Sequence, residues 1–495
     1  MTSGQELING WLAEEPGLDE LLSIKSLSEI STSRDGDSWL IDAEGIHFLP
    51  DWMQSQPPVL FTETIPFDKE HTLGLIFHHF GSDEKAWSYL QHKEVYREVD
   101  MVNRLRAGVG ISNVQHDEND YRNLHNTAVC CHYGFINQAS GNPNPIPFYQ
   151  KAIQQPPDDE HKAFSMKELA TFLLDQQMSK EADGILREAA SLVISEAGKQ
   201  AINLLRVKAG MHQLVLPYDK DELENLKKVL WEAYTYYEAQ GQALQEGLLM
   251  VDASQLANIA GSYAESLSYI KKAVDIFDRE GLTELKGNAM LQRGVLLSNW
   301  AQNGNPQFYK TAIESFQQAL YVFKKEESPY VFADIQHKLG VLYAEMPSEP
   351  KKRSIWAGVS SAAFYEALDF FTKEQYPYEY ASVCNNFANA FTKFPKAIHS
   401  DNHLKALHYY EEALEIRNVS YPYERAISLL NYLEASWNVG NDESSFNQRR
   451  YEDMIAKAQE VKQLVNEPEL LATADEHLEN LQKLKSIIEK SSTNA

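Results

Sequence analysis

Ser328-Pro329-Tyr330-Val331-Phe332-Ala333, Tyr376-Pro377-Tyr378-Glu379-Tyr380-Ala381 and Tyr421-Pro422-Tyr423-Glu424-Arg425-Ala426 are three versions of one phrase. Their prolines lie 48 and 45 residues apart. Each phrase precedes a helical pattern, and proline suits the first helical position because no backbone donor is needed there. A second phrase precedes each of the three. It reads Phe316-Gln317-Gln318-Ala319-Leu320, Phe364-Tyr365-Glu366-Ala367-Leu368 and Tyr410-Glu411-Glu412-Ala413-Leu414, with alanines 48 and 46 residues apart. An aromatic residue and an alanine three positions on share one helical face. The small residue lets a neighbouring helix come close while the ring fills the groove beside it. One helix cannot bury such a face alone, so the phrases predict stacked helix pairs.

These residues resemble the tetratricopeptide repeat (TPR) family, whose unit is two antiparallel helices. Leu73-Gly74 with Phe77, Gly81 and Ala86 fits the family's spacing, as does Leu169-Ala170 with Ala182 and Ala189. Leu339-Gly340 with Tyr343 carries the first-helix phrase again. From about residue 290 the units exceed the family's 34 residues. The extra residues fall between the two helices, for example at Asn303-Gly304-Asn305-Pro306, which is loop chemistry. Such long-linker units resemble those of bacterial multi-repeat TPR proteins, and Cys384-Asn385-Asn386-Phe387-Ala388-Asn389-Ala390 resembles their Asn-Asn-Leu-Gly-Asn-Ala phrase. The resemblance covers roughly residues 66–465, strongly from 285 to 440 and patchily between 95 and 260. It implies an all-α fold, a TPR-like α-solenoid in which antiparallel helix pairs wind into a right-handed superhelix.

Around that array the chain divides into a leader of residues 1–65, an array of about nine units over 66–465, and a capping helix with tail over 466–495. The units are expected near 66–95, 119–155, 163–195, 198–240, 243–278, 285–325, 330–373, 378–417 and 423–465. Residues 96–118, with Gly108, Gly110 and the charged run His116-Asp117-Glu118, read as a loop or a helix break. In the leader, Gln5–Ile24 reads as one or two short helices. Ser38–Asp42 and Gly45–Leu49 read as two extended pieces that form a small hairpin or an irregular cap. Pro57-Pro58 breaks the chain before the first unit. Terminal repeats must shield an apolar face, which gives the leader its expected role. Ser491–Ala495 is expected to fray.

Composition limits the function. Forty-five basic and 71 acidic residues leave a net charge of −26. That balance argues against nucleic acid and against an anionic membrane surface, both of which want a basic stripe. It suits a dispersed soluble surface or a basic partner. Cys130, Cys131 and Cys384 form no disulfide framework. No basic start leads into an apolar run at the N-terminus, and no stretch has the ~20 apolar residues of a membrane helix. The expected location is the cytoplasm.

Catalytic chemistry is sparse. No phosphate loop, nucleophile elbow or His-Glu-x-x-His occurs. The histidine pairs His71/His78 and His125/His132 are the candidates for a metal-dependent enzyme, but no third ligand accompanies either. Cys131 and His132 are sequence neighbours on a helix and point about 100° apart. No cofactor, no metal and no enzymatic activity are therefore expected.

The expected site is the face of each unit's first helix, which in the family lines a concave groove. Counting from the small residue of each unit selects Ser298, Asn299, His337, Glu345, Asn385, Asn389, Glu434, Trp437 and Asn438. An asparagine amide donates and accepts at once, so it can pair with both groups of an extended peptide backbone. Trp437 would supply an aromatic anchor. The competing reading makes these asparagines bonds between neighbouring helices that stabilise the stack. The expected function is a non-enzymatic scaffold or adaptor that holds a peptide or protein segment, regulating a separately encoded effector such as a protease. An acidic co-chaperone or assembly factor for a basic client is the alternative.

Overall fold

The structure is a computed structural model that describes residues 4–14, 39–41, 45–53, 57–61, 64–111, 120–134, 143–214, 219–396, 401–439 and 447–493. It divides into two compact units, residues 1–252 and 253–495.

The N-terminal unit opens with α1 (Gly4–Ala13) and a three-stranded antiparallel sheet of order β1-β2-β3: Trp39–Ile41, Ile46–Phe48 and Thr64–Ile65. The two extended pieces of the leader thus form the hairpin, and a third strand joins it. The leader is therefore more regular than a purely irregular cap. The second half of the expected Gln5–Ile24 helical stretch lies outside the described residues. Helices then succeed one another: α2 (Lys69–His79), α3 (Asp83–Leu90), α4 (Tyr96–Ala107), α5 (Tyr121–Tyr133), α6 (Ile146–Gln154), α7 (Asp159–Asp175), α8 (Ser179–Leu192), α9 (Glu196–Gln213) and α10 (Lys220–Ala239). The helix α11 (Ala243–Ile259) carries the division between the units. The C-terminal unit continues with α12 (Tyr263–Arg279), α13 (Thr283–Gln302), α14 (Tyr309–Val322), α15 (Pro329–Glu345), α16 (Pro350–Phe370), α17 (Pro377–Lys393), α18 (Asn402–Ile416), α19 (Pro422–Asn438), α20 (Gln448–Leu464) and α21 (Pro468–Thr493).

Residues 96–107, read from sequence as part of a loop or break, are helical. Val99, Met101 and Val102 bury one face of α4, and Gly108 then stops the helix in a left-handed conformation, φ +61°. Residues 112–119, with the charged run, lie outside the described residues. At the C-terminus α21 runs to Thr493, beyond the expected fraying point; residues 494 and 495 lie outside the described set.

Most successive helices pack against one another, and neighbouring pairs share continuous hydrophobic cores. Pro329, Pro377 and Pro422 start α15, α17 and α19, as the repeated phrase predicts. The small residues do what their spacing implies. A methyl group added at Gly294 would lie 2.7 Å from the Phe316 ring, and one at Gly340 would lie 2.9 Å from Phe364. The N-terminal unit repeats the device with an aliphatic partner, Gly74 against Leu90 and Gly210 against Leu226. Phe316, Phe364, Leu90 and Leu226 are all buried, each contributing roughly 1.5–3 kcal/mol of apolar burial. In the tight turn between α7 and α8 the left-handed residue is Gln177, φ 61°, where a glycine serves at the equivalent turns before α11, α12 and α13. The result is an all-α, TPR-like succession of helix pairs with a small sheet in its leader. No helix among the described residues is long and apolar enough to cross a membrane.

Candidate functional site

In the C-terminal unit the first helices of successive pairs, α13, α15, α17 and α19, are tied to each other by side chains. Gln302 Nε2 donates to Glu345 Oε2 at 2.8 Å, and Lys393 Nζ reaches Glu345 Oε1 at 2.7 Å. Glu345 therefore joins three helices, α13, α15 and α17. About two helix turns away, Asn386 Nδ2 donates to His337 Nε2 at 2.9 Å. That bond needs an unprotonated Nε2, which agrees with desolvation and the cations Lys338 and Arg417 holding His337 well below its ordinary pKa. Deeper still, Ser428 Oγ donates to Asn385 Oδ1 at 2.9 Å, while Arg417 Nη1 donates to Ser428 Oγ at 2.8 Å.

The residues picked from sequence thus divide. Asn385 is buried, and its oxygen is taken by Ser428 of α19. Asn389 accepts from the Tyr410 hydroxyl of α18. His337 bonds across to α17 and packs beside Phe364, ring centroids 6.0 Å apart. Trp437 donates its indole N–H to His477 Nδ1 at 2.9 Å and packs into the last core cluster, so it anchors α21. Ser298 returns its hydroxyl to the Gly294 carbonyl. Asn299 is half-buried and its carbonyl accepts from Asn303. Glu434 and Asn438 are exposed, with Asn438 bonded back to the Glu434 carbonyl. Glu345 stands at the edge of an open cleft.

That cleft has a volume of about 550 Å³ and sits at the C-terminal ends of α13, α15 and α17. Tyr343 and Trp356 stack in it, ring centroids 5.5 Å apart and planes 7° from parallel. Tyr309 and Phe394 add further ring surface, and Glu345, Lys393 and Arg353 supply charge. Arg353 reaches only the limit of hydrogen bonding with the Ser348 carbonyl, 3.5 Å, which leaves most of its donor capacity turned outward. Aromatic walls with an arginine and a carboxylate at the rim are the composition that concentrates binding energy at protein interfaces. Sequence counting found Glu345 but missed Arg353 and Trp356. The four-residue connection Met346–Glu349 and the first turns of the 21-residue α16 form one wall of the cleft, and counting along first helices does not reach them.

His71 and His78 share α2, but His71 Nδ1 is 2.8 Å from the Asp68 cap, and His78 is buried, its pKa lowered to about 4 chiefly by desolvation. His125 bonds Ser165 and the Pro58 carbonyl, and His132 bonds Asp175 at 3.1 Å. Among the described residues no three potential ligands converge. Burial pushes the Cys130 thiol up to about 12 and that of Cys131 to about 11, which suppresses the thiolate a nucleophile requires.

No family model matches the chain, and no curated protein matches it. Solved structures resemble it, among them two repeat proteins. The TPR domain of P58(IPK) is 14% identical, with 85% of this chain and 99% of that chain covered and a TM-score of 0.23. A circular tandem repeat protein with novel repeat topology is 15% identical, covering 86% and 97%, with a TM-score of 0.21. The fold itself rests on the helix pairs, their proline starts and their glycine–ring contacts: the chain is built as a tetratricopeptide-like helical repeat protein.

Proposed function

We infer that the protein is a non-enzymatic scaffold whose C-terminal unit holds a protein segment against the ends of its first helices. The observation that carries this reading is the cleft in which the stacked Tyr343 and Trp356 stand beside Arg353, Glu345 and Lys393. The ligand it suits is an extended segment with an aromatic or aliphatic side chain for the ring wall and a carboxylate for Arg353. Glu434 and Asn438, both exposed on α19, extend the same row of first-helix positions. Asn385 and Trp437 are assigned instead to the stack, because their polar atoms are already bonded.

The test places a photo-reactive residue at position 356 of the full chain in its source cell, with a second chain carrying it at Tyr321. Tyr321 is 77% exposed on α14, a second helix. A single partner segment attached at 356 and absent at 321 is expected. Equal labelling at both positions, or none at 356, would overturn the assignment. Loss of that partner in Arg353→Glu, with helicity unchanged, would fix the charge of the ligand.

A further inference from the structure

The N-terminal unit already contains a peptide lying across its first helices, and that peptide is the chain's own leader. Asn126 on α5 grips Leu60 from both sides: the Leu60 N–H donates to Oδ1 at 2.8 Å, and Nδ2 donates to the Leu60 carbonyl at 2.8 Å. One amide thus satisfies both backbone groups of one residue, in a manner indifferent to that residue's side chain. Beside it, His125 Nε2 lies 2.8 Å from the Pro58 carbonyl and Nδ1 lies 2.7 Å from Ser165 Oγ. The neutral tautomer with its proton on Nε2 fits this arrangement, with Ser165 donating to Nδ1.

Upstream, the same leader reaches the next helices. The Trp52 indole packs edge-on against Phe164 of α7, centroids 5.1 Å apart, and donates to Glu160 at 2.8 Å. Gly198 on α9 leaves room for that indole, since a methyl group there would lie 2.8 Å from it. The Met53 carbonyl accepts from Gln245 of α11 at 3.2 Å. Residues 52–53 and 57–60 therefore contact α5, α7, α9 and α11, with Trp52, Val59 and Leu60 buried. A small cavity of about 70 Å³ remains between Pro57, Pro58, Tyr121, Arg122, His161 and Phe164. The contacts to main chain, the extended proline pair and the remaining space describe a peptide site occupied in cis.

We propose that Asn126 and His125 form a second peptide-binding site, for extended Pro-Pro-aliphatic segments, and that Pro57–Phe61 is its resident intramolecular ligand. A partner segment of the same chemistry takes the site when the leader leaves it. This lies in the N-terminal unit and does not rest on the cleft of the C-terminal unit. Tethering keeps the leader at an effective concentration on the order of millimolar, so an added peptide binds weakly to the intact chain. Its apparent dissociation constant is the intrinsic one divided by the fraction of open sites.

The test uses a fluorescent synthetic peptide with the sequence of residues 55–63, Ser-Gln-Pro-Pro-Val-Leu-Phe-Thr-Glu. Its binding is measured to the full chain, to Leu60→Ser, and to Leu60→Ser combined with Asn126→Ala. Binding to Leu60→Ser at least roughly tenfold tighter than to the unaltered chain is expected, because the weakened leader opens more sites. The double variant should lose that gain, and a scrambled peptide should bind none of the three. No gain in a folded Leu60→Ser chain, or a gain shared by the scrambled peptide, would overturn the proposal. So would collapse of the helical signal in Leu60→Ser, since a leader the fold cannot release is core and not ligand.

Discussion

The two units bury their helix pairs by the same rule and cover their first helices by opposite means. In both, a glycine lets the partner helix approach, Gly74 against Leu90 in the N-terminal unit and Gly340 against Phe364 in the C-terminal one. Across the first helices of the N-terminal unit lies main chain, held by Asn126 and His125. Across those of the C-terminal unit lie side chains that bond helix to helix, Gln302 to Glu345 to Lys393 and Asn386 to His337. Polar groups on this surface thus find partners either in a captured strand or in the neighbouring helix. The open cleft occurs at the C-terminal ends of these first helices, where Gln302, Glu345 and Lys393 meet the start of α16.

The shared rule is the first to break. Phe364→Ala is expected to destabilise the C-terminal unit by about 3–5 kcal/mol, and Leu90→Ala the N-terminal unit by about 2–5 kcal/mol. Chemical denaturation of each variant checks this. Losses below about 1 kcal/mol would mean that the contacts at these glycines do not hold the pairs together.

The contrast between the units is probed by two asparagines. Asn126→Ala leaves two buried backbone groups of Leu60 without a partner, a loss of about 2–4 kcal/mol. Asn385→Ala removes one acceptor from Ser428, a loss of about 1–2 kcal/mol. If the order is reversed, the captured leader matters less to its unit than the side-chain network does to the other.

Acid offers a finer comparison within the N-terminal unit. Burial lowers His125 to about 4 and raises Asp252 to about 6. Between pH 6.5 and 4 the unfolded chain holds a proton on this histidine that the folded chain refuses, so stability falls as the pH drops through that window. For Asp252 the folded chain holds the proton between about pH 6 and its ordinary 3.8, so stability there rises as the pH drops. The two oppose one another below pH 6. Asp252→Asn should therefore steepen the acid loss, by up to about tenfold in the folding equilibrium per pH unit. Urea midpoints from pH 7 to 4 show this, and an unchanged slope would count against it. The smallest effect is expected at the cleft rim, where Lys393→Ala should cost under about 1 kcal/mol because the ion pair to Glu345 is partly exposed.

Much of the architecture is legible in the sequence because packing repeats. Pro329, Pro377 and Pro422 mark helix starts, and Gly294 and Gly340 mark close approaches, each forced by local sterics. The helix Tyr96–Ala107 was hidden because Gly108 and Gly110 follow it closely and its polar face is arginine-rich. The candidate site was less legible. Counting along a helix gives the face of a residue but not whether a neighbour already occupies its polar atoms, which is what separates Asn385 from Glu345. The sequence argument gives the reading of main chain by asparagine to Asn385 and Asn389. The structure shows that geometry at Asn126, and the leader that meets it lies 66 residues away in sequence.

The contrast between a captured leader and an open cleft is tested most directly by residue-resolved amide hydrogen exchange in the full chain. The Leu60 amide should exchange as slowly as the buried turns of α5, and in Asn126→Ala it should speed up while α5 stays protected. Exchange of Leu60 in the unaltered chain at the rate of an unstructured peptide would contradict the placement of the leader across the first helices.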